Sequence, residues 1–179
     1  MRCTFGICLL ALTVLGTATG WAADDAGWRL ELSGGPTVAG GSHQHRDGDY
    51  MIKTIAEYEM PVCPHLTLGL RLLPAFVYEQ KEGGDSSVWG AGVGVAARGY
   101  LSRDSYQGLF GELGAHAIGH EGRFVDNGSN LNFLLDAGVG WQFNCGLFLV
   151  TRFEHISNAN ITHHNGATNL VTLGLGYRF

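Results

Sequence analysis

Near its C-terminus the chain reads Phe153-Glu154-His155-Ile156-Ser157-Asn158-Ala159. A histidine beside a serine can serve as general base and oxygen nucleophile. On a strand, the period of two would set His155 and Ser157 next to each other on one face. A His and a Ser two apart are a weak motif on their own, because polar residues also gather wherever a strand reaches a polar boundary. What the pair can do depends on whether that face looks into a core, a lumen or a membrane.

The rest of the chain answers that question. Eight segments of alternating polar and apolar residues follow one another at about 27–38, 48–60, 65–78, 87–101, 106–118, 131–143, 146–158 and 168–179. The breaks between them alternate: Pro61 to Pro64, Ser102 to Ser105 and Asn144-Cys145 are tight, whereas 39–47, 79–86, 119–130 and 159–167 are longer and rich in Gly, His, Asp or Asn. An up-and-down antiparallel meander with turns on one rim and loops on the other produces this rhythm, and both termini then lie on the turn rim.

Side-chain parity sharpens the reading. In the sixth segment Phe133, Leu135, Ala137, Val139, Trp141 and Phe143 share one face, and Asn132, Asp136 and Gln142 take the other. The last segment repeats the pattern, with Val171, Leu173, Leu175, Tyr177 and Phe179 opposed to Thr172, Gly174, Gly176 and Arg178. The polar faces together carry Arg29, Lys53, Arg71, Arg98, Arg152 and Arg178 against Glu31, Glu57, Glu59, Glu112, Asp136 and Glu154, six of each sign. Isolated ions in a low dielectric cost several kcal/mol each, so these charges suit a paired network filling a polar lumen. The apolar face is then the outside, covered by lipid, the reverse of a soluble ligand-binding barrel. The sequence therefore predicts an all-β fold, an eight-stranded antiparallel up-and-down transmembrane β-barrel in a bacterial outer membrane. Eight strands leave an interior about full of side chains, which argues against a diffusion pore.

Composition is consistent with this. With 179 residues, 28 Gly, 4 Pro, 45% hydrophobic and 15% charged residues, the chain suits one domain and neither a disordered segment nor a coiled coil. A net charge of −5 without a basic run speaks against nucleic acid as a partner. Met1-Arg2, the apolar run Phe5 to Leu15 and the small residues up to Ala23 read as a signal peptide over residues 1–23, cleaved after Gly20, Ala22 or Ala23, with residues 24–179 as the barrel. Cys3 and Cys8 would leave with it, and Cys63 and Cys145 are left either bridged or as two thiols in turns.

Other motifs carry less. Gly92-Val93-Gly94-Val95-Ala96-Ala97 matches a dinucleotide-binding string on paper, but no helix follows, so no cofactor is expected. His43, His45, His120, His163 and His164 fall in the longer loops without a ligand spacing for a metal, and read as surface histidines. His116 faces the lumen by parity, as a hydrogen-bonded neighbour of the charges there.

His155 and Ser157 break the pattern, for they continue the lipid-facing parity of Leu147, Leu149, Thr151 and Phe153. Two polar side chains thus emerge on the outer wall close to the long-loop rim. The string His155-Ile156-Ser157-Asn158-Ala159, followed by a loop and a final strand ending Tyr177-Arg178-Phe179, resembles the signature of the lipid A 3-O-deacylase (PagL) family. The resemblance implies an outer-membrane barrel that hydrolyses the ester-linked acyl chain at position 3 of lipid A. In that reading Ser157 is the nucleophile, His155 the general base, and Asn158 with adjacent backbone amides the stabiliser of the oxyanion. Lipopolysaccharide and outer-membrane lipids are the implied partners, with a homodimer left open, and no metal or cofactor is required.

The family places a Glu fourteen residues after the His to orient it, where this chain has Asn169, and Asn160 stands where a small residue, usually Gly, follows the Asn-Ala pair. Parity puts Asn169 outward, and its carbonyl can fix the histidine tautomer while stabilising imidazolium less than a carboxylate does. Slower turnover, altered specificity and inactivity are the outcomes this leaves. The competing reading is a non-enzymatic small barrel whose loops bind a ligand or partner.

Overall fold

The structure is a computed structural model that describes residues 26–40, 48–81, 86–102 and 106–179. The signal segment with Cys3 and Cys8, and the loop histidines His43 and His45, lie outside the described residues. Eight strands follow in chain order: β1 (Gly27–Gly40), β2 (Tyr50–Cys63), β3 (Leu66–Glu79), β4 (Ser87–Tyr100), β5 (Gly108–Glu121), β6 (Leu131–Gln142), β7 (Leu147–Ser157) and β8 (Thr168–Arg178). Each pairs antiparallel with the next, and β1 pairs with β8, so the sheet closes without a free edge. Closure matters in lipid, where no water is present to satisfy an edge strand's N–H and C=O groups.

The expected eight segments match these strands, with shifts at the ends. β2 runs through Pro61 to Cys63, so the tight turn is Pro64-His65. β5 continues to Glu121 and takes His120 out of the loop. Cys63 and Cys145 are exposed and unbridged.

The outer wall is apolar along its height, with Leu72, Val93, Leu113, Leu135, Val139 and Leu173 each about half exposed or more. Trp28, Trp141, Tyr177 and Phe179 gather on it towards the turn rim, as the aromatic girdles of membrane barrels do at an interface. Inside, the charges predicted for the lumen are buried and joined. Glu112 accepts from Arg71 (2.9 Å), Arg98 (2.8 Å) and Arg152, and Glu57 from Arg71 (2.5 Å) and Arg98 (2.8 Å). Glu59 joins Arg98 (2.6 Å) to Arg29 (3.2 Å), Lys53 meets Glu154 at 2.5 Å, and Arg152 also holds Glu31. His116 lies 3.4 Å from Asp136, among these charges as parity indicated.

The lumen is more varied than a purely polar filling. Above the ionic layer, towards the loop rim, Met51, Ile55, Leu73, Phe76, Tyr78, Val88, Ile118, Leu134, Ile156 and Leu170 form an apolar cluster closed by Phe124 from the β5–β6 loop. Below it Tyr100, Phe110, Phe148 and Val150 form a second cluster, on which the Arg29 guanidinium sits 3.9 Å from the Phe148 ring centre. Bulky inward side chains need hollows on the neighbouring strand. A Cβ at Gly140 would lie 2.4 Å from the Phe110 ring, and one at Gly114 would lie 2.2 Å from the Asp136 carboxylate. The glycines of the dinucleotide-like string have the same use: a Cβ at Gly94 would meet the His116 ring at 2.3 Å.

Candidate active site on the barrel exterior

The site forms where β7, β8 and β1 run side by side near the loop rim. Strand alternation turns Glu154 and Ile156 into the barrel, where both are buried, and leaves His155 and Ser157 half-buried on the outer wall. Antiparallel register then sets His155 opposite Asn169 of β8, and Asn169 opposite Ala39 of β1. The side chains use this alignment. His155 Nδ1 and Asn169 Oδ1 are 2.8 Å apart, and Asn169 Nδ2 donates to the Ala39 carbonyl at 3.3 Å.

The second bond gives the first its direction. A backbone carbonyl only accepts, so it draws the amide nitrogen towards Ala39 and leaves the amide oxygen facing the imidazole. An amide oxygen also only accepts, so the imidazole proton resides on Nδ1 and the lone pair on Nε2. That is the tautomer a general base needs. The β1 register shifts between Thr37 and Ala39, and this irregularity accompanies the carbonyl that orients Asn169.

Ser157, the last residue of β7, is in register with Phe133 of β6. Among the described residues its hydroxyl has no hydrogen-bond partner, and none joins it to His155. Uncomplexed sites commonly leave this contact loose. Leu135, Phe153 and Val171 surround the pair with exposed apolar surface.

The residues after Ser157 differ from expectation. Asn158 is fully buried, and its side-chain amide points to Asn127 Oδ1 (3.1 Å), Thr162 Oγ1 (2.8 Å) and the His164 carbonyl (2.8 Å). Its backbone N–H donates to Asn165 Oδ1 at 2.8 Å. Strand alternation explains this, since the residue after an outward Ser157 faces inward. With every donor engaged, Asn158 has none for an oxyanion, and the expected role does not fit its place. Asn158 to Ile161 instead forms a turn closed by Ile161 N–H to Asn158 O (3.0 Å), with positive φ at Ala159 (52°) and Asn160 (62°). The Ala159 N–H has no acceptor among the described residues.

His120, expected on the surface, is buried in β5; its Nε2 lies 2.7 Å from Asn132 Nδ2. His163 and His164 are exposed as expected. Asn127, Asn132, Asn165 and the Ala39 carbonyl were not among the expected site residues. A density of asparagines in the two neighbouring loops is the only trace the side chains among them leave in the sequence.

The barrel is similar to several solved structures. The N-terminal β-barrel domain of Pseudomonas aeruginosa OprF matches at 14% identity over 86% of this chain and 97% of that one, with a TM-score of 0.54. Neisserial surface protein A (NspA) matches at 12% identity over 86% and 97% with a TM-score of 0.57, and a de novo designed transmembrane β-barrel at 13% over 87% and 96% with 0.50. At such identities these matches speak to the fold, and the fold is that of small outer-membrane barrels. No curated protein matches the sequence. A family model described as lipid A 3-O-deacylase (PagL) matches residues 12–178, and the chain belongs to that family. Its reaction class is therefore ester hydrolysis, and lipid A the implied substrate.

Proposed function

We propose that this chain removes the ester-linked acyl chain at position 3 of lipid A, with Ser157 as nucleophile and His155 as base. The observation that carries the reading is the directed chain Ala39 O, Asn169, His155 on the lipid-facing wall, which favours the basic tautomer beside a serine with no partner among the described residues. The substrate's acyl chains pack against the same wall, so its ester reaches an external serine without entering a pocket.

In the first step Ser157 Oγ attacks the ester carbonyl carbon while His155 Nε2 takes the hydroxyl proton. The carbonyl oxygen becomes an oxyanion, to which we assign the Ala159 N–H in place of Asn158. The tetrahedral centre collapses as His155 returns the proton to the sugar oxygen, leaving an acyl ester on Ser157. Water then attacks that ester with His155 as base, which frees the fatty acid and restores the serine. Asn169 carries no charge, so it holds the imidazole's direction and adds little to imidazolium stability.

The test is incubation of the purified protein in detergent with lipopolysaccharide, followed by mass spectrometry of lipid A, beside Ser157→Ala and a deacylase known to work under those conditions. Loss of one hydroxyacyl chain with the wild type alone supports the reading. Intact lipid A with both proteins, while the control deacylase works, would overturn it and favour a non-enzymatic barrel.

A further inference from the structure

The turn after Ser157 holds an alanine and an asparagine at positive φ, 52° and 62°. A left-handed conformation is unfavourable for an ordinary L residue such as alanine, though asparagine tolerates it, and an alanine persists there where the surroundings over-determine it. The surroundings here come from a distant part of the chain. The β5–β6 loop lies against the β7–β8 loop through a bridge between Asn127 and Asn165, with Gly166 N–H to Asp126 O at 2.7 Å and Gly128 N–H to His164 O at 2.9 Å. Asn127, 4% exposed, occupies the centre of this contact. Its Oδ1 accepts from Asn158 Nδ2 (3.1 Å) and Ser129 N–H (3.1 Å), and its Nδ2 donates to Asn132 Oδ1 (2.7 Å).

These contacts have one direction. His120 Nδ1 faces the Gly122 carbonyl at 3.2 Å, which accepts, so the proton sits there and Nε2 is the acceptor. Asn132 must present its Nδ2 to His120 Nε2, at 2.7 Å, and therefore its Oδ1 to Asn127. Asn127 in turn must present Nδ2 to Asn132 and Oδ1 to Asn158. A head-to-tail row of side chains thus runs from the inner face of β5 to the residue that follows the nucleophile, and a single flipped amide would set like against like.

We infer that Asn127 is a positioning residue for the Ser157 turn. It acts through Asn158, and the β5–β6 loop is in this way a working part of the site. The inference rests on the deacylase reading for its effect on turnover. It does not rest on it for its effect on the loop. Asn127 touches neither Ser157 nor His155, so its removal should misplace the serine and the Ala159 N–H while leaving the apolar wall that binds acyl chains.

The experiment uses the full mature barrel in detergent, as wild type, Asn127→Ala, Asn127→Asp and Asn132→Ala. It reads kcat and KM on lipopolysaccharide, the rate at which a fluorophosphonate labels Ser157, protease cleavage within 158–167, and the heat-dependent gel shift of a folded barrel. Asn127→Ala is expected to lower kcat and labelling about 30-fold with KM within about twofold, to open the loop to protease, and to keep the gel shift. Asn132→Ala should lose about fivefold in the same measures. Asn127→Asp, which keeps the oxygen that Asn158 donates to, should fall between wild type and Asn127→Ala. Unchanged kcat and labelling in Asn127→Ala, or losses in both alanine variants that track loss of the folded barrel, would overturn the inference. A wild type that labels with fluorophosphonate yet leaves lipid A intact would overturn the deacylase reading instead, and labelling and proteolysis would still decide the role of Asn127.

Discussion

The lumen and the outer-wall site are built from similar polar groups used in opposite ways. Inside, Glu112 is engaged by three arginines, and Glu57 and Glu59 each by more than one, so these carboxylates of the ionic layer are saturated. On the wall, His155 is held at one nitrogen by a neutral amide and Ser157 is held by nothing among the described residues. Saturation neutralises charge and fixes side chains. An open valence at a fixed angle is what chemistry requires. On the proposed reading, stability and reactivity are thus placed on opposite sides of one sheet.

Substitutions can test that division. The largest effect is expected from Ser157→Ala, which should cost about 10³-fold or more in deacylation while the heat-dependent gel shift stays unchanged. Glu112→Ala should do the reverse. It takes one carboxylate partner from each of three buried guanidinium groups and leaves an excess positive charge among them, lowering stability by about 3–5 kcal/mol in urea unfolding from micelles, while the folded fraction keeps its specific activity. The neighbouring residue faces lipid, and Leu113→Arg should destabilise by about 2–4 kcal/mol in the same assay, through the cost of a charge in the hydrocarbon layer. Asn169→Ala should reduce kcat about 10- to 100-fold with stability nearly unchanged, because the imidazole loses its orientation and not its fold. In Asn169→Glu the added carboxylate should raise kcat, by up to about tenfold, and a fall measured in the lipid A assay would show that the amide's bond to Ala39 outweighs charge. A loss of deacylation in Glu112→Ala that exceeds its loss of folded barrel would break the division itself.

The barrel was legible because lipid imposes a strict alternation: in segments such as Phe133 to Phe143, each outward residue must be apolar. Parity also placed His155, Ser157 and Asn169 on one wall, since register follows from alternation once the strands are paired. The lumen's apolar layers were less legible. Met51, Leu73 and Phe76 share an inward face with ions, and parity cannot rank them by height. The direction of Asn158 was missed because adjacency to Ser157 suggested a shared direction, whereas the pleat sends successive side chains to opposite sides. Asn127 could not be found at all. It lies 31 positions from Asn158, and only the docking of two loops brings them together.

The seam between β1 and β8 joins the first and last strands of the chain, and the bond from Asn169 to Ala39 crosses it over 130 positions. Contacts this remote in sequence form late, because the intervening chain must be ordered first. The histidine's orientation is consequently a product of closure. A barrel still open at its seam would carry Ser157 and His155 on a finished β7 and yet lack the carbonyl that sets the imidazole. On the proposed reading, hydrolysis would begin only once the wall around the site is complete.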